Sequence, residues 1–491
     1  MKKYFMFATV AIAALFASCS NSDDFVAPQV TSEDVDSGDA LVPIKIGVNQ
    51  GVEASVTRGA NTGTGTVGGI GTGTNNWYGQ LINVYMFHKG TLTLATEKVK
   101  NKTTNQTEVV PIFDKQLMVT PGSTKNLIDG TPAPQGQAMV YDPTGTNNAE
   151  IKYYPQMGNY DFFGYHLSNA KTTGPVLNAA GNAMEADFVI DGSHDLMSER
   201  AVQLGTWPDG SNKTSFFSSY SARRDVHPNL DFKHLLTRLH FNIKAGDENA
   251  AGVVAGVQPD PYSDDSYTGI FVESIEIFSR TTGKLVVAWT ADAEIDSING
   301  SPITDDQKVR ANKIKWDDLV FDPANPSDDA NTCGWVKLMQ RPDPTDPTAD
   351  PDPSEQLVDL VHVAPKYNKT GATPEEKFPL TSVGEALIVS KPVAITTNSD
   401  NNEATGIKGD GSGNQYYMRI SVSQLVKSNH NNTSLVSKPF ATIVPVEIKD
   451  TEFKLGYSYD VNITLYGAEE IKVNTTIAPW ESGDPIPMVI E

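Results

Sequence analysis

The stretch of sequence that decides the fold class lies near the carboxyl end of the chain: Tyr457-Ser458-Tyr459-Asp460-Val461-Asn462-Ile463-Thr464-Leu465. Aromatic and branched residues occupy every second position, and polar residues fill the positions between them. After a short turn, residues 467–470, a second run places Ile471, Val473 and Ile477 in alternation with Lys472, Asn474 and Thr476. Because successive side chains of a strand point to opposite faces, this pattern predicts an antiparallel hairpin with one buried and one solvated face.

Further strand patterns occur along most of the chain. Ile44, Ile46 and Val48 alternate with Lys45 and Gly47, and residues 81–87 and 160–165 are rich in aromatic and branched side chains. Residues 239–244 alternate in the same way. They directly follow residues 230–238, the only stretch of note that we expect to be helical. Many short strands with turn signals and few helices predict an all-β fold built of antiparallel β-sandwiches.

Composition restricts the partners of the protein. The 491 residues are 39% hydrophobic, which is enough for sizeable cores, and 60 acidic against 38 basic side chains give a net charge of -22. Such a field repels phosphate backbones, so we expect no nucleic acid as a partner. Only two cysteines are present, Cys19 and Cys333, which excludes a disulfide-stapled scaffold and a four-thiolate metal site.

The amino terminus has the features of a signal peptide. Lys2 and Lys3 precede an apolar run, residues 4–16, that is too short to span a bilayer about 30 Å thick. Phe16-Ala17-Ser18-Cys19 resembles a bacterial lipobox, in which the cysteine is acylated and becomes the new amino terminus. The alternative is a lone cysteine in an ordinary signal peptide. We therefore expect residues 1–18 to be removed and Cys19 to carry lipid.

The composition of residues 19–42 predicts an extended, solvated tether. They contain six acidic side chains, Asp23, Asp24, Glu33, Asp34, Asp36 and Asp39, and no basic one. An acidic patch directly after a lipidated cysteine also resembles the surface-export signal of Bacteroidetes lipoproteins. That resemblance implies the outer face of the outer membrane, whereas the alternative is a merely soluble linker.

A predicted strand is followed by a predicted break point. Arg58 follows residues 44–48 within Val56-Thr57-Arg58-Gly59, and residues 59–76 are mostly Gly and Thr. Such a segment cannot pack, so the bond between Arg58 and Gly59 is expected to be open to a trypsin-like protease. The alternative is an ordinary flexible loop that happens to contain an arginine.

Signatures of catalysis and metal binding are weak. Gly63, Gly65 and Gly68 have the spacing of a dinucleotide-binding loop but no strand before them or helix after them. His234 and His240 show no paired-ligand spacing. Asp410, Ser412 and Asn414 loosely resemble a calcium loop, but no Glu occupies the twelfth position, so we interpret them as a plain turn. Cys333 lies in no motif that marks a nucleophile, so we interpret it as structural. Asp296-Ser297-Ile298 fits a short O-glycosylation pattern that recurs by chance. We expect no enzyme activity, cofactor or metal.

The order of several motifs resembles the Bacteroidetes fimbrillin family, which includes the Mfa-like fimbrillins of type V pili. The matching pieces are Cys19, the first strand with Thr57-Arg58, Tyr153-Tyr154-Pro155 leading to residues 160–165, residues 232–239, and residues 453–480. The resemblance implies two tandem transthyretin-like, Greek-key β-sandwich domains after the signal peptide and acidic tether. It also implies that an Arg-specific protease removes the first strand, Ile44, Ile46 and Val48, and that a donor strand from a neighbouring subunit fills the groove.

The carboxyl-terminal tail is the candidate donor, because Ile486, Met488 and Ile490 share the spacing of Ile44, Ile46 and Val48. Pro485 and Pro487 lack ladder donors, so a longer donor that includes residues 471–477, or a simple end strand, stays open. The polar stretch 218–229 suggests domains at residues 43–225 and 226–491, with the donor at 485–491 and a proline-rich insertion at 342–353.

Three functions agree with these features. The first is a non-catalytic fimbrial subunit on the cell surface, anchored by lipid before maturation and partnered by other fimbrial subunits and a host or bacterial surface ligand. The second is a non-polymerising surface lipoprotein that acts as an adhesin or binds glycans, although the six tryptophans, such as Trp77, Trp207 and Trp335, are scattered. The third is a secreted hydrolase, for which the sequence shows no catalytic spacing.

Overall fold

The computed structural model describes most of the chain after the tether. The described residues are 41–48, 81–101, 103–118, 120–121, 138–141, 152–167, 174–192, 195–202, 217–223, 226–230, 232, 234–263, 266–290, 313–338, 362–398, 404–427, 435–449, 451–467 and 470–478.

The described residues are almost entirely β. The strands are β1 (Ile46–Val48), β2 (Leu81–His88), β3 (Thr96–Lys100), β4 (Thr107–Pro111), β5 (Asp114–Met118), β6 (Thr120–Pro121), β7 (Ala138–Tyr141), β8 (Tyr160–His166), β9 (Val176–Leu177), β10 (Ala183–Val189), β11 (Met197–Arg200), β12 (Asn229–Leu230), β13 (Thr237–Ala245), β14 (Ile270–Arg280), β15 (Thr282–Trp289), β16 (Ile314–Trp316), β17 (Cys333–Lys337), β18 (Thr381–Ile388), β19 (Val393–Thr397), β20 (Ala404–Asp410), β21 (Gln415–Lys427), β22 (Leu435–Glu447), β23 (Ser458–Gly467) and β24 (Glu470–Ala478). Two single-turn helices are described, α1 (Ser219–Ala222) and α2 (Pro374–Lys377). No helix among the described residues is long and apolar enough to cross a membrane.

The predicted carboxyl-terminal hairpin is confirmed. β23 and β24 pair antiparallel, with Tyr459 opposite Ile477 and Ile463 opposite Val473. Tyr459, Val461, Ile463 and Leu465 are fully buried, whereas Tyr457 precedes the strand and is 38% exposed, with the Lys454 ammonium over its ring. Alternation therefore predicted the buried face correctly, except at its first residue.

The carboxyl-terminal half forms a β-sandwich. One sheet has the order β18-β13-β23-β24 and the other the order β17-β14-β21-β22. Between them lies a core to which all four central strands contribute, with Phe241, Val461, Ile277 and Ile420 among its members. The expected all-β fold is thus observed.

The amino-terminal half repeats this strand order. Its sheets are β12-β1-β7-β6 and β11-β8-β2-β5. In each half the first strand lies between an antiparallel neighbour and a parallel one: β1 between β7 and β12, β13 between β18 and β23. The second sheets also correspond, since β5-β2-β8-β11 matches β17-β14-β21-β22 pair by pair.

A third four-stranded sheet, β16-β15-β10-β9, covers the outer face of β2 and β8. Phe162 of β8 faces the sandwich core, and Phe163 faces the third sheet. Both faces of this strand are apolar because both are covered. β15 belongs to the carboxyl-terminal half of the sequence but pairs with β10, and β12 pairs with β1. The division of the chain at residue 225 stays a prediction.

The helix expected at residues 230–238 is wrong. The described residues of this segment contain no helical turn, and β13 already begins at Thr237. Leu235 and Leu236 are both fully buried, and their backbone groups bond to Leu196 and Gly456, which are distant in sequence. An extended segment can bury two adjacent leucines and use its backbone groups for such contacts, whereas a helix would bond them internally.

Candidate functional site: the slot of the first strand

β1 occupies an interior slot in the first sheet of the amino-terminal sandwich. It runs parallel to β12, with Gly47 opposite Asn229, and antiparallel to β7, with Ile46 opposite Tyr141. Neither edge of β1 is therefore free. Removing the strand would leave β7 and β12 without their shared partner, which creates two open edges facing each other.

The side chains predicted for the displaced strand fill this slot. Ile44, Ile46 and Val48 are each 0% exposed and belong to the amino-terminal core together with Phe162 and Leu230. Burial of an aliphatic side chain contributes about 1.5–3 kcal/mol. Removal of the strand would therefore leave an apolar groove, and a replacement strand would have to present three apolar side chains at alternate positions.

Backbone hydrogen bonds extend the slot beyond β1 itself. The Ile44 amide donates to the Lys152 carbonyl at 2.9 Å, and the Tyr154 amide donates to the Val42 carbonyl at the same distance. Further along, the Gly47 amide donates to the Pro228 carbonyl at 3.0 Å. Residues 42–47 are therefore bound continuously, and the site is longer than the three residues of β1.

Two polar groups flank the slot. Lys152 is buried, and its Nζ pairs with Glu97 Oε1 at 2.5 Å. The Tyr154 ring lies in the core, where burial raises the pKa of its hydroxyl well above the ordinary value and keeps it neutral. Tyr154 belongs to the Tyr153-Tyr154-Pro155 motif, so this motif lies beside the first strand.

The other predicted site residues lie outside the described residues. These are the lipidation site Cys19, the cleavage site Arg58 and Gly59, the donor residues Ile486, Met488 and Ile490, and the glycosylation pattern at Asp296. The longer donor that includes residues 471–477 is described in part: β24 pairs with β23 in its own sandwich, where Ile471 and Val473 pack on the core.

Residues weighed as metal or nucleophile candidates have ordinary partners. The Asp410 carboxylate accepts hydrogen bonds from Lys391 Nζ at 2.7 Å and from an Arg280 nitrogen at 2.5 Å. These bonds, the one from Lys391 foremost, hold the pKa of Asp410 below its usual value. Cys333 is buried in β17, where burial raises the pKa of its thiol. Within the described residues no three His, Cys, Asp or Glu side chains come close enough to hold a metal ion.

Comparison with solved structures finds matches of low TM-score. A candidate cell adhesion protein from Bacteroides uniformis is 12% identical, with a TM-score of 0.34, and the match covers 91% of this chain and 100% of the Bacteroides uniformis chain. A candidate adhesin from Bacteroides thetaiotaomicron is 8% identical with a TM-score of 0.29, covering 90% and 99%. The fimbrial anchor protein Mfa2 from Porphyromonas gingivalis is 8% identical with a TM-score of 0.22, covering 89% and 99%. These values are too low to carry an argument about this chain.

No protein-family profile and no curated protein sequence matches the chain.

Sequence reasoning missed β12 as a wall of the slot. Asn229 and Leu230 were assigned to an interdomain stretch and the start of a helix, but they pair with β1. The nearest local signal is Pro228, which favours an extended conformation at His227 before it and lacks the backbone amide that a helix interior needs.

Proposed function

We propose that this protein is a structural or adhesive subunit of cell-surface fimbriae, exported as an outer-membrane lipoprotein, cleaved after Arg58 and polymerised by donor-strand exchange. The observation that carries the proposal is the first strand itself. It is short, interior and fully buried, and Arg58 follows its last residue by only ten positions. A strand in this position can be released by a single cut, and its loss opens a groove rather than an edge.

The energetics of exchange support this assignment. A groove with unpaired backbone groups on both sides and apolar pockets between them is a strong template for strand addition. Filling it restores the two ladders and buries apolar surface at about 25 cal/mol per Å². Since donor and acceptor lie on different parts of one subunit, the contact is head-to-tail and builds filaments.

The repeated strand order supports the finer architecture, two tandem transthyretin-like domains. In each half an interior first strand lies beside a parallel neighbour. The second half has the additional strand β24 next to β23, and the candidate donor at residues 485–491 follows β24 in sequence. A donor in this position would follow a sandwich whose described strands are already paired.

Treatment of the full chain with an Arg-specific protease, followed by negative-stain electron microscopy, tests the proposal. The wild-type protein should be cut after Arg58 and form filaments, whereas Arg58→Ala should stay uncut there and monomeric. Arg223→Ala removes an exposed arginine elsewhere and serves as the matched control. Cut but monomeric protein would favour the alternative, a non-polymerising surface adhesin, and filaments from Arg58→Ala would exclude Arg58 as the trigger.

A further inference from the structure

Three polar side chains meet on the outer face of the carboxyl-terminal sandwich. They are Asp460 on β23, His240 on β13 and Ser382 on β18, three strands that are adjacent in one sheet. His240 Nδ1 lies 2.9 Å from Asp460 Oδ1, and His240 Nε2 lies 2.9 Å from Ser382 Oγ. The three residues are distant in sequence, so no spacing rule could have grouped them.

The order of these contacts is the one that activates a serine. When His240 carries its proton on Nδ1, this nitrogen donates to Asp460 Oδ1, and the lone pair of Nε2 accepts from the Ser382 hydroxyl. The imidazole can then take the hydroxyl proton, and Asp460 stabilises the imidazolium that forms. Ser382 is exposed, and the side chains of His240 and Asp460 are 26% and 38% exposed, so the group is open to a reactant.

A β-bulge produces this arrangement. Phe241 pairs with Gly384 but the next residue, Asn242, pairs with Ser382, so Val383 is the extra residue. Without the bulge, Val383 would stand opposite Asn242. The bulge turns Val383 into the core and places Ser382 on the same face as His240.

Asn242 supplies a donor next to the serine. The strand register places it directly opposite Ser382, and its Nδ2 donates one hydrogen to Asn462 Oδ1 at 3.2 Å. The second hydrogen of this nitrogen has no partner among the described residues, and it would donate to an oxyanion formed at Ser382. Side-chain amides serve as such donors in acyl-transfer sites.

A second cluster also contains a serine, a histidine and a carboxylate, but its contacts follow a different order. Glu273 accepts both from Ser423 Oγ and from His362 Nδ1, the latter at 3.0 Å. Here the carboxylate lies between the serine and the histidine, so Ser423 contacts a carboxylate and not an imidazole nitrogen. This cluster is an internal control for the first one.

We propose that Ser382 is an activated nucleophile that hydrolyses acyl esters, with His240 as its base, Asp460 as a positioning residue and Asn242 as the oxyanion donor. Ser382 Oγ bonds to the acyl carbon while its proton passes to His240 Nε2, and the ester bond breaks as the departing alkoxide takes that proton. Water then gives a proton to His240 and its oxygen to the acyl carbon, which releases the acid and returns the proton to Ser382 Oγ. Because the group lies on an exposed sheet face, an acyl group that projects from a larger molecule could reach it.

A fluorophosphonate probe tests this on the full chain, because it forms a bond to an activated serine oxygen with loss of fluoride. Peptide mass spectrometry should find the label on Ser382 and not on Ser423. His240→Gln should slow labelling by about 100-fold or more, the usual contribution of a general base. Ser423→Ala should leave the labelling rate and the release of 4-nitrophenol from 4-nitrophenyl acetate unchanged, whereas Ser382→Ala should abolish both.

Three results would overturn the proposal. They are an intact mass unchanged by the probe, equal labelling in His240→Gln and wild type, and a label on Ser423. A purely structural hydrogen-bond network predicts the first. Since Ser382 is exposed, Ser382→Ala should fold, and circular dichroism of each variant verifies this.

Discussion

At the residue scale, the amino-terminal core depends on a glycine. Gly164 lies in β8, and a Cβ at this position would come within 2.5 Å of Leu230 Cδ1 and 3.0 Å of Phe232 Cζ. We expect Gly164→Ala to lower the free energy of unfolding by about 1–3 kcal/mol, because the overpacked side chains must shift. Urea denaturation measures the change. Gly334→Ala is the control, since its nearest neighbour would be 3.8 Å away, and an equal loss in both variants would contradict the packing argument.

The predicted lipid anchor depends on a single side chain, Cys19. We expect Cys19→Ser to leave the precursor unprocessed or to release it from the membrane fraction, because serine lacks the thiol to which the lipid is attached. Fractionation and intact mass measure the change, and Ser20→Ala is the neighbouring control. Unchanged mass and membrane association in Cys19→Ser would rule out this anchor.

At the element scale, the slot of β1 should accept its own strand back as a free peptide. A peptide of residues 42–48 presents Ile44, Ile46 and Val48 to the groove of protease-cut protein and should shorten filaments by capping growing ends. Filament length by electron microscopy measures this. The same peptide with Ile46→Asp is the control, because a buried unpaired carboxylate opposes insertion. Equal filament lengths with both peptides would show that growth does not pass through this groove.

At the scale of the whole molecule, assembly links the end of one chain to the start of another. Deleting residues 485–491 should leave a folded, soluble subunit that is still cut after Arg58 but cannot extend a filament, because a strand acting in trans adds little to its own core. Size-exclusion chromatography and electron microscopy measure this. Deleting residues 1–18 instead, which removes only the signal peptide, is the control. Filaments of normal length, or a truncated chain that no longer folds, would show that the tail is not the donor.

Alternation in the sequence was enough to predict several strands and, for some of them, which side chains are buried. Alternation at residues 459–465 and at Ile44, Ile46 and Val48 predicted the core side chains, because strand geometry alone sends alternate residues to opposite faces. The sequence pattern predicted a helix wrongly at residues 230–238. Adjacent leucines there are both buried, but their backbone groups bond to residues distant in sequence.

Which strands become neighbours depends on tertiary contacts that the sequence pattern does not encode. That β1 lies parallel to β12, that both faces of β8 are covered, and that a bulge brings Ser382 to His240 and Asp460 all depend on contacts between distant parts of the chain. Periodicity encodes which side chains turn inward but not what they meet there. Pairing is chosen by the summed burial and hydrogen bonding of whole sheets, so these contacts could be found only in the folded molecule.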